Sequence, residues 1–254
     1  MNPLTIVAIV VFVVLLFVIW KYLLSDPYTL QGLQSGQTTS TISASSLETN
    51  GTGVPSSNFA YSVWFYVNDW NYRYGEPKVI FGRMGAKSAD GKGSIDGIDG
   101  LNPCPAVVLG AAENNVAISL ACFPGVDAES EVTTEGNSII HTCGVTNVPI
   151  QRWVNLVISV YGRTLDIYID GKLVRTCLLP GIASVNSNSD IYVTPSGGFD
   201  GWTAKLQYFP NSLNPQDAWN IYSKGYTSWA TMFNSYQVEV SLVQNGTTTS
   251  SVTI

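Results

Sequence analysis

The stretch WVNLVISVYGRTLDIYIDGKLVRTC, from Trp153 to Cys177, decides the fold of this chain. In its second apolar run, Leu165, Ile167 and Ile169 alternate with polar or amphipathic residues, which is the period of a strand with one buried face. The pair Asp170-Gly171 separates this run from the next, and such a pair favours a two-residue turn because both positions must adopt positive φ. The stretch therefore predicts a β-meander of three antiparallel strands.

Shorter runs of the same kind occupy much of the remaining chain. The predicted strands outside the meander are Phe59–Val67, Lys78–Gly82, Ala106–Leu109, Asn115–Phe123, Ser138–Val145, Asp190–Thr194 and Phe199–Phe209. Asn214 as N-cap and Pro215 at the first helical position predict a short helix that ends near Gly225. At least ten short strands and one brief helix predict an all-β fold, an antiparallel sandwich, over residues 59–226.

The amino-terminal stretch is apolar enough to cross a membrane. Residues 4–24 contain one charged side chain, Lys21, and as a helix they rise about 32 Å, against a hydrocarbon core of about 30 Å. Trp20, Lys21 and Tyr22 have the character of residues at the membrane interface. A cleaved signal peptide is the alternative, but the stretch lacks a basic start and is longer than usual. We predict a single-span anchor within residues 1–26.

The side of the membrane that carries the folded domain is less well determined by the sequence. Lys21 is the only basic residue before Arg73, and this favours a cytoplasmic-facing domain. Two sequons, at Asn50 and Asn245, and the four cysteines instead suit an external or lumenal domain. Both orientations stay open, with preference for the first.

Two further segments complete the predicted organisation. Residues 27–58 are rich in Gly, Ser and Thr, which predicts a flexible tether that spans about 30 Å. The alternative is an extended segment packed on the domain or on a neighbour. Residues 227–254 contain two strand-like runs and are expected to form a carboxyl-terminal hairpin across Asn245-Gly246.

Composition restricts the kinds of partner. Charged residues make up 12% of the chain, against about 25% in ordinary soluble proteins. A surface with so little charge is typical of one that a partner covers, or of a neutral extracellular domain. The net charge of −6 and the scattered basic residues argue against a nucleic-acid partner.

Few residues carry the patterns of catalysis or metal binding. Three aspartates, Asp90, Asp96 and Asp99, lie in a glycine-rich loop and are weak calcium candidates, since their spacing differs from that of an EF-hand. No other cofactor is expected. The one histidine, His141, lies in a predicted strand, and no strand carries the paired carboxylates of a glycosidase. We therefore expect no enzyme and no catalytic residue.

The cysteines and one aromatic loop are the remaining candidates. Cysteines 104, 122, 143 and 177 contain no Cys-x-x-Cys pair, so two disulfides are expected rather than a zinc site. Pairing of 104 with 122 and of 143 with 177 joins nearby strands, and free buried thiols are the alternative. The loop NDWNYRYGE contains three aromatic residues, Trp70, Tyr72 and Tyr74. They are candidates for contact with either a sugar or a protein.

The order of several motifs resembles a known fold family. Four motifs occur in the same order as in the laminin-G-like form of the concanavalin A-like lectin/glucanase jelly roll. They are Trp153 at the start of a strand, LDIYIDGKL at 165–173, GFDGW at 198–202 and LNPQ at 213–216. In this arrangement Trp153 is expected to bury its ring between the two sheets, and the helix to cover one end of the core.

The whole chain, with an apolar amino terminus, a Ser/Thr-rich segment and this sandwich, resembles the membrane-anchored minor capsid proteins of large double-stranded DNA viruses, particularly those of algae. The resemblance implies a structural virion protein whose domain lies between the internal membrane and the capsid shell. Its partners would be the lipid bilayer and the major and other minor capsid proteins. The alternative is a membrane-anchored lectin-like receptor that binds a glycan.

Overall fold

A computed structural model of the chain describes residues 11–12, 15–16, 26–47, 56–85, 102–124, 133–134, 138–226, 239–244 and 247–253. The chain divides into two compact units, residues 30–227 and residues 1–29 with 228–254. The strands are β1 Thr29–Gln31, β2 Gln34–Ser35, β3 Ser40–Ile42, β4 Phe59–Asp69, β5 Lys78–Arg83, β6 Ala106–Leu109, β7 Val116–Cys122, β8 Thr133–Thr134, β9 Ser138–Val145, β10 Trp153–Tyr161, β11 Thr164–Ile169, β12 Lys172–Leu178, β13 Ile191–Val193, β14 Asp200–Phe209, β15 Glu239–Gln244 and β16 Thr247–Thr253. The helix α1 spans Pro215–Ser223.

Two antiparallel sheets form a β-sandwich. Sheet A has the order β1-β14-β4-β10-β11-β12, with β2 also paired to β14. Sheet B has the order β3-β13-β5-β6-β7-β9-β8. Alternate residues of the facing strands fill the space between the sheets, as in other sandwiches. Phe59, Tyr61, Val63, Phe65 and Val67 of β4 are all at most 1% exposed in this core.

The predicted meander is confirmed as β10, β11 and β12. Ile158 pairs with Ile167, and Ile167 pairs with Arg175, so the three strands are consecutive in sheet A. Asp170 and Gly171 both have positive φ, 50° and 73°, as the two-residue turn requires. The first two strands bury their alternate apolar residues in the core, whereas β12 is exposed along nearly all of its length.

The helix covers the outer face of sheet A rather than one end of the core. Asn214 accepts a hydrogen bond from the backbone N–H of Asp217, and Asp217 accepts one from the backbone N–H of Asn214, which is a capping box. Ala218 and Ile221 then pack against Val157 and Tyr168 on that face. Tyr168 is one of the polar or amphipathic residues that alternate with Leu165, Ile167 and Ile169, and it is nevertheless buried, because the helix from a later segment of the chain covers it.

The tether prediction is wrong for residues 29–42. In this range β2 pairs with β14 through Ser35 and Trp202, and β3 pairs with β13 through Ile42 and Ile191. Leu47 is buried in the core. These polar residues form strands because established sheets offer them backbone partners, which was the alternative weighed for this segment.

One of the two expected disulfides is present. Cys143 of β9 and Cys177 of β12 are bonded, with 6.4 Å between their Cα atoms, and this bond joins the two sheets. The pairing of Cys104 with Cys122 is wrong, because both are free buried thiols. Both lie within the apolar core, where cysteine packs as a small hydrophobic residue.

The second unit is described only in part. β15 and β16 pair antiparallel, from Glu239 opposite Thr253 to Gln244 opposite Thr247. Residues 11–12 and 15–16 are helical. Across the residues that the structure describes, no helix combines the length and hydropathy needed to span a bilayer. The predicted span and its interface residues, Trp20, Lys21 and Tyr22, lie largely outside the described residues, so the anchor stays a prediction.

Candidate functional site

Three aromatic side chains form a row across the outer face of sheet A. Tyr66 of β4 lies opposite Trp202 of β14 on one side and opposite Trp153 of β10 on the other. Residues 65 and 67 point into the core, so Tyr66 and its two partners point outward. Neighbouring strands lie about 4.8 Å apart, so this aromatic row spans about 10 Å.

The aromatic row is open to solvent at one end and supported at the other. Trp202 is 47% exposed, while Tyr66 and Trp153 are half-buried. The ring of Tyr66 lies 5.8 Å from that of Trp153, and Tyr226 stacks on Trp153 at 4.2 Å with an interplanar angle of 20°. The expectation that Trp153 is buried between the sheets is therefore wrong, because the odd positions of β10 face outward.

A row of amide and carboxylate side chains runs beside the aromatic row. Asp200 accepts hydrogen bonds from Gln37 Nε2 at 3.0 Å and from Asn68 Nδ2 at 2.8 Å. Gln151 donates from Nε2 to the backbone carbonyl of Asn68 at 3.5 Å. Gln37, Asn68 and Gln151 are exposed, and each amide retains further donor and acceptor capacity. This polar row is thus linked by hydrogen bonds before any ligand binds.

A bulge in the sheet brings the two rows together. Asp200 pairs with Asp69 and Gly201 pairs with Val67, so Asn68 is an extra residue of β4 at this point. Gly201 has a φ of 152°, and a Cβ atom there would lie 1.8 Å from the carbonyl oxygen of Tyr66. Glycine is therefore required for the close approach of β14 to β4 that places Trp202 beside Tyr66.

Sequence reasoning missed most of this surface. Trp202 and Tyr66 were assigned to strands, but not to a binding surface, and Asp200 and Asn68 were not singled out. A signal was present, because the two aromatic residues occupy outward positions of their strands. Their common row could not be deduced, since Tyr66 and Trp202 are brought together only by the pairing of β4 with β14.

The predicted aromatic residue Trp70 lies elsewhere, in a shallow pocket of about 520 Å³ between three loops. The pocket is lined by Trp70, Ala112, Glu113, Asn114, Asn115, Thr146 and Asn147. The ammonium group of Lys78 lies 5.3 Å from the centre of the Trp70 ring, a cation–π contact. Burial, with help from the positive charge of Arg73, lowers the pKa of Lys78. The pocket combines one aromatic ring with amides and the carboxylate of Glu113 and is a second candidate site.

The other two predicted aromatic residues do not join this pocket. The hydroxyl of Tyr72 donates to the carbonyl of Gly197 at 3.2 Å, and Arg73 donates to the carbonyl of Ser196, so both residues fix their loop to the turn before β14. Tyr74 is 64% exposed. The three aromatic residues of the loop therefore do not converge on one ligand.

The calcium candidates Asp90, Asp96 and Asp99 lie outside the described residues. Among the residues that the structure does describe, no group of three or more His, Cys, Asp or Glu is arranged to hold a metal ion. The predicted strand position of His141 is confirmed, in β9.

Comparison with known proteins supports the fold. No family model matches the chain, and no curated protein matches it. Among solved structures, a mutant of HCR/D is 13% identical, with a TM-score of 0.50 over 79% of this chain and 45% of that one. The receptor binding domain of botulinum neurotoxin C/D mosaic serotype is 12% identical, with a TM-score of 0.49 over 76% of this chain and 42% of that one.

The binding domain of botulinum neurotoxin DC in complex with rat synaptotagmin II is 14% identical, with a TM-score of 0.48 over 76% of this chain and 42% of that one. The chain thus spans less than half the length of these structures. At this identity the HCR/D comparison bears on the fold alone, and it agrees with an antiparallel β-sandwich.

Proposed function

We propose that the sandwich is a non-enzymatic carbohydrate-binding domain and that it binds a neutral oligosaccharide on the outer face of sheet A. The observation that carries the proposal is the aromatic row beside the hydrogen-bonded polar row. A pyranose ring presents a C–H face and an edge of hydroxyl groups. Such a ligand would contact both rows at once, the face on Trp202 and the hydroxyls on Asp200 and Asn68.

The polar row favours a sugar over a protein segment. Exposed aromatic residues suit both kinds of ligand, because Trp and Tyr are enriched in protein interfaces as well. The polar row offers hydrogen-bond donors and acceptors at short spacing, and neighbouring hydroxyl groups of a sugar can bind to them. These groups are the amides of Gln37, Asn68 and Gln151 and the carboxylate of Asp200. The width of about 10 Å suits a ligand of two or three sugar units.

The charges around the site favour a neutral sugar. Asp200 and Asp69 face each other across the bulge, while the nearby guanidinium of Arg152 is already paired with Asp170. The whole chain carries a net charge of −6. A sugar carboxylate would be repelled by these carboxylates, so sialylated glycans should bind less well than neutral ones.

The concanavalin A-like jelly-roll topology and the membrane anchor at residues 1–26 are parts of this proposal that rest on the sequence. They would present the binding face near a membrane. The virion role, with capsid proteins as partners and the internal membrane as location, stays a prediction from the resemblance. No contact among the described residues favours it over glycan binding.

The test is a glycan array probed with the full chain in lipid nanodiscs. The array carries gluco-, manno-, xylo- and chito-oligosaccharides together with sialylated glycans. We expect retention of one or more neutral oligosaccharides, and weaker retention of sialylated ones. The proposal is wrong if no glycan is retained, or if retention requires a sialic acid.

A further inference from the structure

Strand β12 leaves one edge of sheet A open. It pairs with β11 on one side, and on its other side no backbone group of the described residues bonds to it. An open edge presents a row of N–H and C=O groups that can pair with another strand. The edge is seven residues long, which is the length of an ordinary strand.

The side chains of β12 contribute little to the core. Six of the seven residues are exposed, and Cys177 alone is half-buried. Leu173, Val174 and Leu178 are 50%, 47% and 70% exposed. Three large apolar side chains on one exposed edge strand are unusual for a free surface, because such strands promote association.

This strand is nevertheless held firmly in place. The Cys143–Cys177 disulfide ties it to β9 of the other sheet, and Arg175 donates to the carbonyl of Gly144 at 2.5 Å. A strand that buries so little would fray if pairing with β11 were its only support. The disulfide and this hydrogen bond therefore hold the part of β12 that follows Val174, which forms a bulge because Ile167 pairs with Arg175 and Tyr168 pairs with Leu173.

We propose that β12 binds an extended segment of a partner protein by strand addition, and that this segment is apolar with carboxylates. Backbone pairing would supply affinity and the exposed Leu173, Val174 and Leu178 would supply apolar contact. The charged side chains of β12 are Lys172 and Arg175, both basic. Carboxylates on the partner strand would therefore be attracted to this edge.

A second copy of this chain suits the edge less well. Antiparallel pairing of β12 with itself places two lysines and two arginines in one interface with no acidic residue of either strand. In the register centred on Arg175, the two guanidinium groups lie directly opposite each other, which is destabilising. Lysine and arginine on an edge strand thus act against self-association while they favour an acidic partner.

This surface is distinct from the aromatic row, which lies on β14, β4 and β10. One strand, β11, lies between β10 and the edge strand β12, and the exposed end of the aromatic row, Trp202, lies two strands further away on β14, so the two ligands would occupy separate parts of the sheet. The domain would then link a glycan to a protein.

The test uses the full chain in nanodiscs and a fluorescent peptide, acetyl-VEVTVEV-amide, with acetyl-VKVTVKV-amide as its basic counterpart. Fluorescence anisotropy should show at least tenfold tighter binding of the acidic peptide. The double variant Lys172→Glu with Arg175→Glu should reverse this preference, whereas Lys224→Glu, an exposed lysine beyond α1, should leave it unchanged. Hydrogen exchange should show that the acidic peptide protects the backbone amides of β12.

Three results would overturn the proposal. The first is no binding of the acidic peptide to a chain whose circular dichroism shows the folded sandwich. The second is binding that the charge reversal does not alter. The third is a concentration-dependent dimer in sedimentation that Val174→Lys abolishes, because β12 would then pair with its own copy.

Discussion

At the scale of single residues, the proposed glycan surface depends most on Gly201. Its backbone passes so close to β4 that a methyl group would overlap the carbonyl oxygen of Tyr66. The contact that excludes a side chain is the same contact that sets Trp202 beside Tyr66. Stability and ligand affinity are therefore linked at this position.

Substitution of Gly201 by alanine should lower both quantities. We expect a loss of about 1–3 kcal/mol in the free energy of unfolding, because β14 must move away from β4 and φ is unfavourable for alanine. Affinity for the neutral glycan should fall at the same time. Denaturant unfolding and calorimetric titration measure the two effects.

The matched control is Gly32→Ala, where no atom lies within 4 Å of the added methyl group. This variant should retain the parent stability within about 0.5 kcal/mol. Equal stability and equal affinity in both variants would show that the bulge at Gly201 does not set the spacing of the aromatic row.

The buried thiols Cys104 and Cys122 give a second prediction at this scale. Burial raises the pKa of Cys122 to about 11 and raises that of Cys104 further. At pH 8 the reactive thiolate of Cys122 is then about one part in a thousand. Iodoacetamide should modify no cysteine of the native chain, two in denaturant, and four in denaturant with reductant, as counted by mass spectrometry.

The same shifts contribute to a loss of stability at alkaline pH. Because the folded-state pKa of each thiol exceeds its unfolded value of 9.0, their contribution to stability is complete below pH 9. The contribution of Cys122 is lost as the pH rises from 9 to about 11, and that of Cys104 continues to fall at higher pH. Rapid labelling of either cysteine in the native chain at pH 8 would contradict the buried positions.

At the scale of elements, the position of β12 depends on the Cys143–Cys177 disulfide. The disulfide closes a loop with a sequence separation of 34 residues and holds a strand that buries little surface. Its loss should expose β12 to fraying while the two-sheet core persists.

The double variant Cys143→Ala with Cys177→Ala should lower the free energy of unfolding by about 2–4 kcal/mol. Hydrogen exchange should accelerate first in β12, and later in β10. Guanidinium titration and exchange mass spectrometry are the measurements, and the parent chain under reductant is a second comparison. Uniform acceleration over both sheets would contradict a local role for the bond.

The elements that the sequence predicts well are those whose signals are local. The meander carries its own alternation and its Asp170-Gly171 turn, and α1 carries its capping residues. β2 and β3 were missed because their residues are polar and their pairing depends on β14 and β13, which follow much later in the chain. Strands of this kind are determined by tertiary pairing rather than by propensity.

At the scale of the whole molecule, two surfaces of one sheet are the proposed sites of two ligands. The face of β14, β4 and β10 carries the aromatic and polar rows, and the edge at β12 carries exposed apolar and basic side chains. The fold class could be predicted from the pattern of short strands. The site could not, because its residues come from four separate segments that meet only through sheet register and a bulge.

The measurement that tests the central claim most directly is a calorimetric titration of the neutral oligosaccharide selected by the array into two variants, Trp202→Ala and Tyr161→Ala. Tyr161 is an exposed aromatic residue at the far end of β10, about 27 Å along the strand from Trp153. We predict at least a tenfold loss of affinity for Trp202→Ala, or about 1.4 kcal/mol, and less than a twofold change for Tyr161→Ala. Unchanged affinity in Trp202→Ala, or an equal loss in both variants, would contradict the assignment of the aromatic row as the glycan site.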